Sequence, residues 1–465
     1  MTELSLADTA ETVRRTTAGD LTAAAAVEES LARIAALDPS LNAFSRVLAD
    51  EARAEAAVRD EHLAGGGAPG PQHGVPIAIK EEIDVAGTVT TFGGEANVTP
   101  AAADAEIVRR LREAGAVVVG KTTMPEFGAF PYTESASRGI TRNPWDRSRT
   151  PGGSSGGTAV AVATGMVPVA IGGDGGGSIR IPSACCGLFG LKPQRGRVTT
   201  APSPHLWWAL GTAGPLTRSV RDSALVYDVI RGNVEGDLYR AGGTDSFVEA
   251  SEREPGRLRI GWTTKPVTRG VRPDPIHVRA VEETARLLAD LGHEVREVDP
   301  QYPDPTAAFV PQFFAGIRYE AERVEHHDRL ERRTRQTCRM GSWVTPRVRD
   351  WALRETEKVS VKANRVFDEV DVLLTPAIAH RPPQVGRLDG VGTVGASLRA
   401  MPAIAYAALW NVAGNPAAAV PCGTAPDGLP VSVQLVGRTD DEATLFSLSA
   451  QVEKARPWPM WVGDR

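Results

Sequence analysis

Hydrophobic positions recur along this chain with two different periods. Short apolar runs bounded by turn-forming residues predict buried strands, and apolar positions three or four residues apart predict amphipathic helices. The predicted strands are 74–79, 116–119, 167–171, 257–261, 293–298 and 372–375, followed by a pair at 416–421 and 429–436. The predicted helices are 104–113, 158–164, 218–232, 275–291 and 441–454, and residues 301–370 are mainly helical. Their alternation predicts an α/β fold, with a mixed, mostly parallel and twisted central sheet covered by helices on both faces.

The amino-terminal region, residues 1–63, has the helical period without a strand-like run. Apolar residues recur at helical spacing between 27 and 37. Asp38-Pro39 is expected to end this helix, and a second alanine-rich helix is expected over 47–63. Because neither an internal repeat nor a convincing linker occurs, we expect residues 1–465 to form a single large domain.

Composition narrows the classes of function. A formal net charge of −5 gives no electrostatic case for a nucleic-acid or membrane-surface partner. Four scattered cysteines form neither a disulfide framework nor a metal-binding motif, which is typical of a reducing compartment. The amino terminus lacks a secretory signal, and no apolar run is long enough to span a bilayer. We therefore expect a soluble cytoplasmic protein that needs no metal or cofactor.

The segment 172–190, GGDGGGSIRIPSACCGLFG, has the most unusual composition in the chain. Ser178 follows three consecutive glycines, and Asp174 precedes them. Such a loop can turn several N–H groups towards one point beside the hydroxyl, as acyl transfer requires of its oxyanion hole. The same composition also suits a flexible turn or an N–H nest for a phosphate, so three interpretations stay open.

Two further segments carry polar groups in suggestive places. Lys80 stands at the end of the predicted strand 74–79. It is either a solvated strand end or a desolvated amine that can serve as a base. The run 152–157, GGSSGG, is either a flexible linker or a structured turn, and its place between a turn and an apolar helix favours the turn.

Taken together, these segments resemble the amidase signature family. The matching motifs lie mainly in a signature core at 74–198, and weaker similarity covers nearly the whole chain. They are GVPIAIKEEIDVAG (74–87), GKTTMPEFG (120–128), NPWDRSRTPGGSSGG (143–157), GGDGGGSIRIP (172–182) and GLFGLKPQRGRV (187–198). The resemblance implies the amidase signature fold and a carboxamide hydrolase without a cofactor, acting on a small-molecule amide and forming a possible homodimer.

The resemblance also implies a Ser–cis-Ser–Lys triad. Ser178 matches the family's nucleophile, Ser154 its bridging serine after a cis peptide bond, and Lys80 its general base. Ser178 lies 24 residues after Ser154, which is the family spacing and favours Ser154 over Ser155. The oxyanion hole is expected from the N–H groups of Gly175, Gly176 and Gly177.

The chemistry of these residue types is consistent with those roles. A serine hydroxyl is a poor nucleophile until a base takes its proton, and none of the eight histidines lies in a motif suited to that task. A neutral lysine can act as the base, and an intermediate hydroxyl can relay the proton because it both donates and accepts. Supporting positions are Asp174, Arg180 and Ser155, and framework roles are favoured over direct chemistry for Asp174 and Arg180.

The sequence departs from the commonest family pattern at two places. Gly175 stands where many members carry Thr, and Glu81-Glu82 replaces the usual Asp-Asn after the lysine. Neither change removes a catalytic atom. Large side chains could line a substrate pocket, although such residues are more often core. These candidates are Met124, Phe127, Phe130, Trp207, Trp208 and Trp410, with Phe313 and Phe314 as further aromatic residues.

Three other functions compete with a free-standing amidase. A hydrolase of cyclic or oligomeric nylon-type amides is compatible with the glycine loop. A glutamine-hydrolysing subunit of a tRNA-dependent amidotransferase would carry an acid before the Asn-Leu-Ala-Gly stretch to bind the ammonium group. Here 404–410 contains no acid before Asn411, which disfavours that function. A catalytically silent amide-binding scaffold would have lost Lys80, Ser154 or Ser178, and all three are present.

Overall fold

The computed structural model describes residues 8–243 and 245–462. Within these ranges eleven strands form one sheet and two short strands form a separate hairpin. The strands are β1 Phe44–Val47, β2 Pro76–Lys80, β3 Val117–Thr122, β4 Glu134–Ser135, β5 Gly139–Ile140, β6 Val169–Asp174, β7 Phe189–Lys192, β8 Thr212–Thr217, β9 Arg259–Trp262, β10 Glu294–Glu297, β11 Val372–Pro376, β12 Ala417–Thr424 and β13 Pro430–Gly437. The α-helices are α1 Thr9–Ala18, α2 Ala23–Leu41, α3 Ala49–Ala64, α4 Glu106–Glu113, α5 Gly156–Ala163, α6 Arg180–Cys186, α7 Val220–Ile230, α8 Phe247–Glu252, α9 Pro275–Asp290, α10 Thr306–Ala321, α11 Arg332–Met340, α12 Pro346–Asn364, α13 Thr393–Ile404, α14 Ala408–Ala413 and α15 Glu442–Ala455. Short 3-10 turns lie at Glu126–Gly128, His327–Arg329, Gly341–Trp343 and Arg365–Asp368.

The sheet runs in the order β1-β3-β2-β6-β8-β7-β12-β13-β11-β9-β10. Four described pairings are parallel, in the groups β3-β2-β6 and β11-β9-β10. The other six are antiparallel and occupy the middle of the sheet and its β1 edge. The predicted α/β class and mixed sheet are therefore confirmed. The antiparallel share is larger than the sequence indicates, because β7 and β8 lack a clear apolar period and were not predicted.

Alternating side chains of the strands supply two cores. Ile77 and Ile79 of β2 belong to the core on one face of the sheet, which also contains residues of α4, α7, α8, α9 and α15. Ala78, between them, belongs to the core on the other face, which also contains residues of α2, α3, α5 and α6. A third apolar cluster lies among α10, α12 and α14 and contains Trp207. Helices cover both faces of the sheet, as the sequence predicts.

The amino-terminal region differs from the expected all-helical segment. Helix α2 continues through Asp38-Pro39 to Leu41, so the predicted helix end is wrong by three residues. It stops where Asn42 adopts a left-handed conformation with φ 56°. Strand β1 then pairs antiparallel with β3 before α3 begins. Residues 1–7 of this predicted segment lie outside the described residues.

Candidate active site

Lys80 is the last residue of β2, and its side chain is withdrawn from solvent. The residue is 1% exposed, which excludes the interpretation as a solvated strand end. Its Nζ donates a hydrogen bond to Ser154 Oγ at 2.9 Å. The same Nζ lies 3.1 Å from Glu82 Oε1. Strand β2 therefore places the buried Lys80 amine beside Ser154, which belongs to a separate segment.

Ser154 lies in a structured turn at the start of α5, not in a flexible linker. The Gly153–Ser154 peptide bond is cis. Thr133 fastens the turn, because its Oγ1 donates to the Gly152 carbonyl at 2.9 Å and accepts from the Gly156 N–H at 3.1 Å. The neighbouring Ser155 exchanges hydrogen bonds with the backbone of Gly173 at 3.2 and 3.3 Å. Ser155 therefore ties this turn to β6.

Ser178 lies in the loop Asp174–Ile179, called the Ser178 loop below, between β6 and α6. The buried Asp174 carboxylate accepts hydrogen bonds from the N–H groups of Gly177 at 2.7 Å and Ile179 at 3.2 Å. These hydrogen bonds hold the backbone of the loop around the Asp174 carboxylate. Ser178 is 9% exposed, so its surroundings leave limited access from solvent.

Arg180 completes this framework from the first turn of α6. Its guanidinium makes two 3.0 Å contacts with Asp174 and also donates to Asn411 at 2.6 Å and Gln434 at 2.8 Å. Burial would raise the pKa of Asp174, but the charge of Arg180 and hydrogen bonds from Arg180 and Asn411 outweigh it and hold that pKa well below the usual range. Asp174 and Arg180 thus hold the Ser178 loop in its conformation, which is the framework role that was expected for them.

The backbone N–H groups of the Ser178 loop differ in whether they are free. The Gly177 N–H is engaged by Asp174, which corrects the expectation that it contributes to the oxyanion hole in this conformation. Within the described residues, no acceptor contacts the N–H groups of Gly175, Gly176 or Ser178. These three donors remain for a bound oxygen atom. The sequence pattern could not separate them, because any glycine of the run can turn its N–H inward.

Two of the three triad candidates are in direct contact. Lys80 and Ser154 share a hydrogen bond, whereas no hydrogen bond of the Ser178 hydroxyl occurs among the residues that the structure describes. Catalytic contacts in a protein without substrate are often longer than in the reacting complex. The three side chains nevertheless come from the end of β2, the loop after β6 and the turn before α5. Parallel pairing of β2 with β6 brings two of those ends together.

Two carboxyl groups accompany Lys80, and Glu320 was not singled out from the sequence. Glu82 forms the ion pair with Lys80 and was noted only as a departure from the family pattern. Glu320 reaches the site from α10, and its pKa is raised well above the usual range by burial and by the charge of Glu82. A hydrogen bond from Trp207 and the charge of Lys80 oppose this rise. Only the packing of α10 against the site reveals Glu320.

Aromatic side chains lie against the glycines of the Ser178 loop. A Cβ atom on Gly175 would lie 2.7 Å from Trp207, and one on Gly176 would lie 3.2 Å from Phe309. Phe313 joins this group, with ring centroids 5.3 Å from Trp207, 6.2 Å from Phe309 and 6.4 Å from Phe130. Trp207, Phe309, Phe313 and Phe130 are called the aromatic wall below.

The other substrate-pocket candidates occupy different places. A Cβ atom on Gly128 would lie 3.0 Å from Ser154 Oγ and 3.5 Å from Met124, so Met124 lies near the site. Phe127 is buried and stacks on Phe92. Trp208 stacks on His205, with centroids 3.9 Å apart. Trp410 is 1% exposed and packs against Phe367, so it is a core residue and not a pocket residue.

The described residues show no group of three His, Cys, Asp or Glu side chains that could hold a metal ion. Over the same ranges, no helix combines the length and apolar character needed to cross a bilayer.

Comparison with known proteins identifies the family. The family model described as Amidase matches residues 25–446. "Putative amidase AmiB2" of Mycobacterium tuberculosis is 48% identical over 460 residues, covering 98% of this chain and 98% of its own. "Putative amidase" of Synechocystis is 32% identical over 432 residues, covering 91% of this chain and 83% of its own.

Solved structures agree with this assignment. The complex of 6-aminohexanoate cyclic dimer hydrolase with substrate has a TM-score of 0.92 at 30% identity, covering 100% of this chain and 99% of that one. A bacterial aryl acylamidase of the amidase signature enzymes has a TM-score of 0.89 at 26% identity, with 99% of both chains covered. The peptide amidase of Stenotrophomonas maltophilia has a TM-score of 0.80 at 28% identity, covering 97% and 96%.

This chain therefore belongs to the amidase family, the amidase signature enzymes. It is a hydrolase that acts on amides.

Proposed function

We propose that this amidase cleaves a carboxamide through an acyl-enzyme on Ser178, with Ser154 and Lys80 carrying the proton. The observation that supports this most directly is the 2.9 Å hydrogen bond from the buried Lys80 Nζ to Ser154 Oγ. Free N–H groups on Gly175, Gly176 and Ser178 provide the second requirement, donors for an oxyanion beside the nucleophile.

In the proposed cycle, Ser178 Oγ attacks the amide carbonyl carbon. The Ser178 proton passes to Ser154 Oγ as the Ser154 proton passes to neutral Lys80. The carbonyl oxygen gains the negative charge and is held by the free N–H groups. When the C–N bond breaks, the proton returns from Lys80 through Ser154 to the leaving nitrogen. Water then repeats the sequence on the acyl-enzyme and releases the acid.

The aromatic wall favours an amide with an apolar acyl or aryl group. Trp207 and Phe309 lie against the glycines of the loop, Phe313 packs on both of them, and apolar ligand surface placed against these rings leaves water. Two structural neighbours act on a cyclic dimer of 6-aminohexanoate and on aryl acylamides. We therefore propose aryl, alkyl and cyclic apolar amides as the substrate class. A nylon-type cyclic amide remains the second candidate because of the similarity to the cyclic dimer hydrolase.

A glutamine-hydrolysing role in an amidotransferase is not favoured by the site. The segment 404–410 supplies no carboxylate for an ammonium group, and the Asn411 side chain is hydrogen-bonded to Asp174 and Arg180.

The homodimer that the family resemblance implies is retained as part of the proposal.

The assignment of Ser178 is tested with a serine-directed fluorophosphonate. We expect the wild type to be labelled at one serine and Ser178→Ala to remain unlabelled, with intact-mass spectrometry as the readout. Ser183→Ala is the matched control, because Ser183 lies on α6 and its buried hydroxyl has no partner among the described residues. Equal labelling of Ser178→Ala and wild type would overturn the assignment.

The substrate class is tested with a panel of aryl, alkyl, cyclic and peptide-terminal amides and glutamine. We expect the largest kcat/KM for an apolar amide. Glutamine as the best substrate would contradict the proposed class while leaving the chemistry on Ser178 intact.

A further inference from the structure

Two of the free N–H donors of the Ser178 loop belong to residues that no hydrogen bond holds in place. Within the described residues, neither the N–H nor the carbonyl group of Gly175 or Gly176 has a hydrogen-bonding partner. Glycine is also the residue with the greatest conformational freedom. Donors of an oxyanion hole are effective because they are in position before the charge develops. Packing must therefore hold this part of the loop.

The indole ring of Trp207 occupies the space in which a side chain of residue 175 would lie. A Cβ atom on Gly175 would be 2.7 Å from Cε3 and 3.1 Å from Cζ3 of that ring. Gly175 does not adopt the left-handed conformation that favours glycine, so the ring, and not the backbone conformation, excludes a side chain here. A different ring covers the next residue, because a Cβ atom on Gly176 would lie 3.2 Å from Phe309.

Helix α10 also holds Trp207. A Cβ atom on Gly316 would lie 2.6 Å from Cδ1 of the indole, so the pyrrole side of the ring meets Gly316 while the benzo side meets Gly175. The ring also donates a hydrogen bond to Glu320. Trp207 is 7% exposed, so most of its surface is used in these contacts.

The backbone of Trp207 is strained. Its φ of 50° is rare for a bulky side chain. Such a conformation persists only where the surrounding structure enforces it, and strained residues concentrate at functional sites. Three residues further on, the Leu210 carbonyl accepts a hydrogen bond from Asn411 at 3.1 Å, and Asn411 also donates to Asp174. The same amide thus fixes both the Trp207 segment and the Ser178 loop.

We propose that Trp207 is a positioning residue for the oxyanion hole, and that its ring, seated against Gly175 and Gly316, holds the Gly175 N–H where it can donate to the carbonyl oxygen of the substrate. The inference rests on the proposed function, because it requires the Ser178 loop to bind that oxygen. Gly175 and Trp207 then depend on each other. A larger residue at 175 displaces the ring, and a smaller residue at 207 leaves the glycine unsupported.

The test is a double-mutant cycle with fluorophosphonate labelling as the readout, because the phosphoryl oxygen of the reagent takes the place of the carbonyl oxygen. The maximal labelling rate and the half-saturating reagent concentration are measured for wild type, Gly175→Ala, Trp207→Leu and the double variant. We expect each single variant to lower the maximal rate about 10²-fold, the usual cost of misplacing one donor. The half-saturating concentration should change little, since the donor acts on the transition state.

The double variant separates positioning from two unrelated defects. Independent effects would multiply to a loss of about 10⁴-fold. We expect a loss of only about 10²-fold, because the methyl group of Gly175→Ala fits in the space that the shortened residue 207 leaves.

Gly176→Ala, alone and combined with Trp207→Leu, is the matched control. Its methyl group meets Phe309 and not Trp207. Trp207→Leu should therefore lower the labelling rate of Gly176→Ala by the same factor as that of the wild type. Equal coupling of Trp207→Leu to both glycine variants would show a general loosening of the loop, and the inference would be wrong.

Labelling of Trp207→Leu at the wild-type rate would overturn the inference, as would losses that multiply in the double variant. Trp207→Phe is the second variant if Trp207→Leu does not fold, as judged by circular dichroism. It keeps an aromatic ring but lacks the indole N–H that donates to Glu320. We expect a smaller loss of rate, and a wild-type rate would again overturn the inference. A folded wild type that is not labelled at Ser178 would instead refute the proposed function.

Discussion

Replacement of Asp174 by Asn tests how the Ser178 loop is held. The substitution preserves shape but leaves the Arg180 guanidinium without its charged partner at a site where both side chains are 0% exposed. Removing one partner of a buried ion pair costs about 3–5 kcal/mol, because the remaining charge stays desolvated. Asn411 and Gln434 keep their hydrogen bonds to Arg180, so we expect the lower part of this range.

The cost should depend on pH in a defined direction. The pKa of Asp174 is held well below its unfolded value of 3.8, so ionised Asp174 stabilises the fold above that value. This contribution is complete at neutral pH and declines as the pH falls below about 4. The difference in stability between wild type and Asp174→Asn should therefore be largest at neutral pH and shrink on acidification.

Urea unfolding followed by circular dichroism measures the difference, provided that the transition is reversible. Glu11→Gln is the control, because its ion pair with Arg14 is exposed and should contribute little. If Asp174→Asn lowers the free energy of unfolding by less than about 1 kcal/mol at neutral pH, the reasoning is refuted. Such a small effect would mean that the buried Arg180 guanidinium is solvated or paired by other means. If the difference in unfolding free energy between wild type and Asp174→Asn increases on acidification, the predicted direction of the pH dependence is wrong.

Two further predictions concern activity. Lys80→Met removes the amine that contacts Ser154, and we expect kcat to fall by about 10²–10⁴, the usual contribution of a general base. A variant that folds, by circular dichroism, and retains wild-type kcat on the best amide of the panel would contradict the role of Lys80. Phe313→Ala opens the aromatic wall, and we expect KM for an aryl amide to rise about tenfold through lost apolar contact while KM for a small aliphatic amide changes little. Equal changes for both substrates in steady-state assays would show that Phe313 acts on the fold and not on the acyl group.

The amino-acid sequence was most informative where one motif contains all the necessary residues. The strand ending at Lys80, the turn at Ser154 and the glycine loop before Ser178 were each predicted from contiguous residues. Their joint occurrence indicated the family, which the comparisons confirmed. Strands β7 and β8 were missed because glycine, proline and threonine interrupt their apolar pattern. These two strands form because neighbouring strands of the sheet pair with them. The hydrophobic periodicity of the segments themselves does not indicate such pairing.

The sequence by itself determined the α/β class, the family and the residue types of the candidate site, because these depend on local periodicity and on contiguous motifs. Tertiary structure decided that Asp174 engages the Gly177 N–H, that Trp410 belongs to the core and that Glu320 of α10 lines the same cavity as Glu82. Each of these depends on which side chains packing brings within a few ångströms of one another. Hydrogen bonding, burial and ionisation respond to that distance and not to separation along the chain.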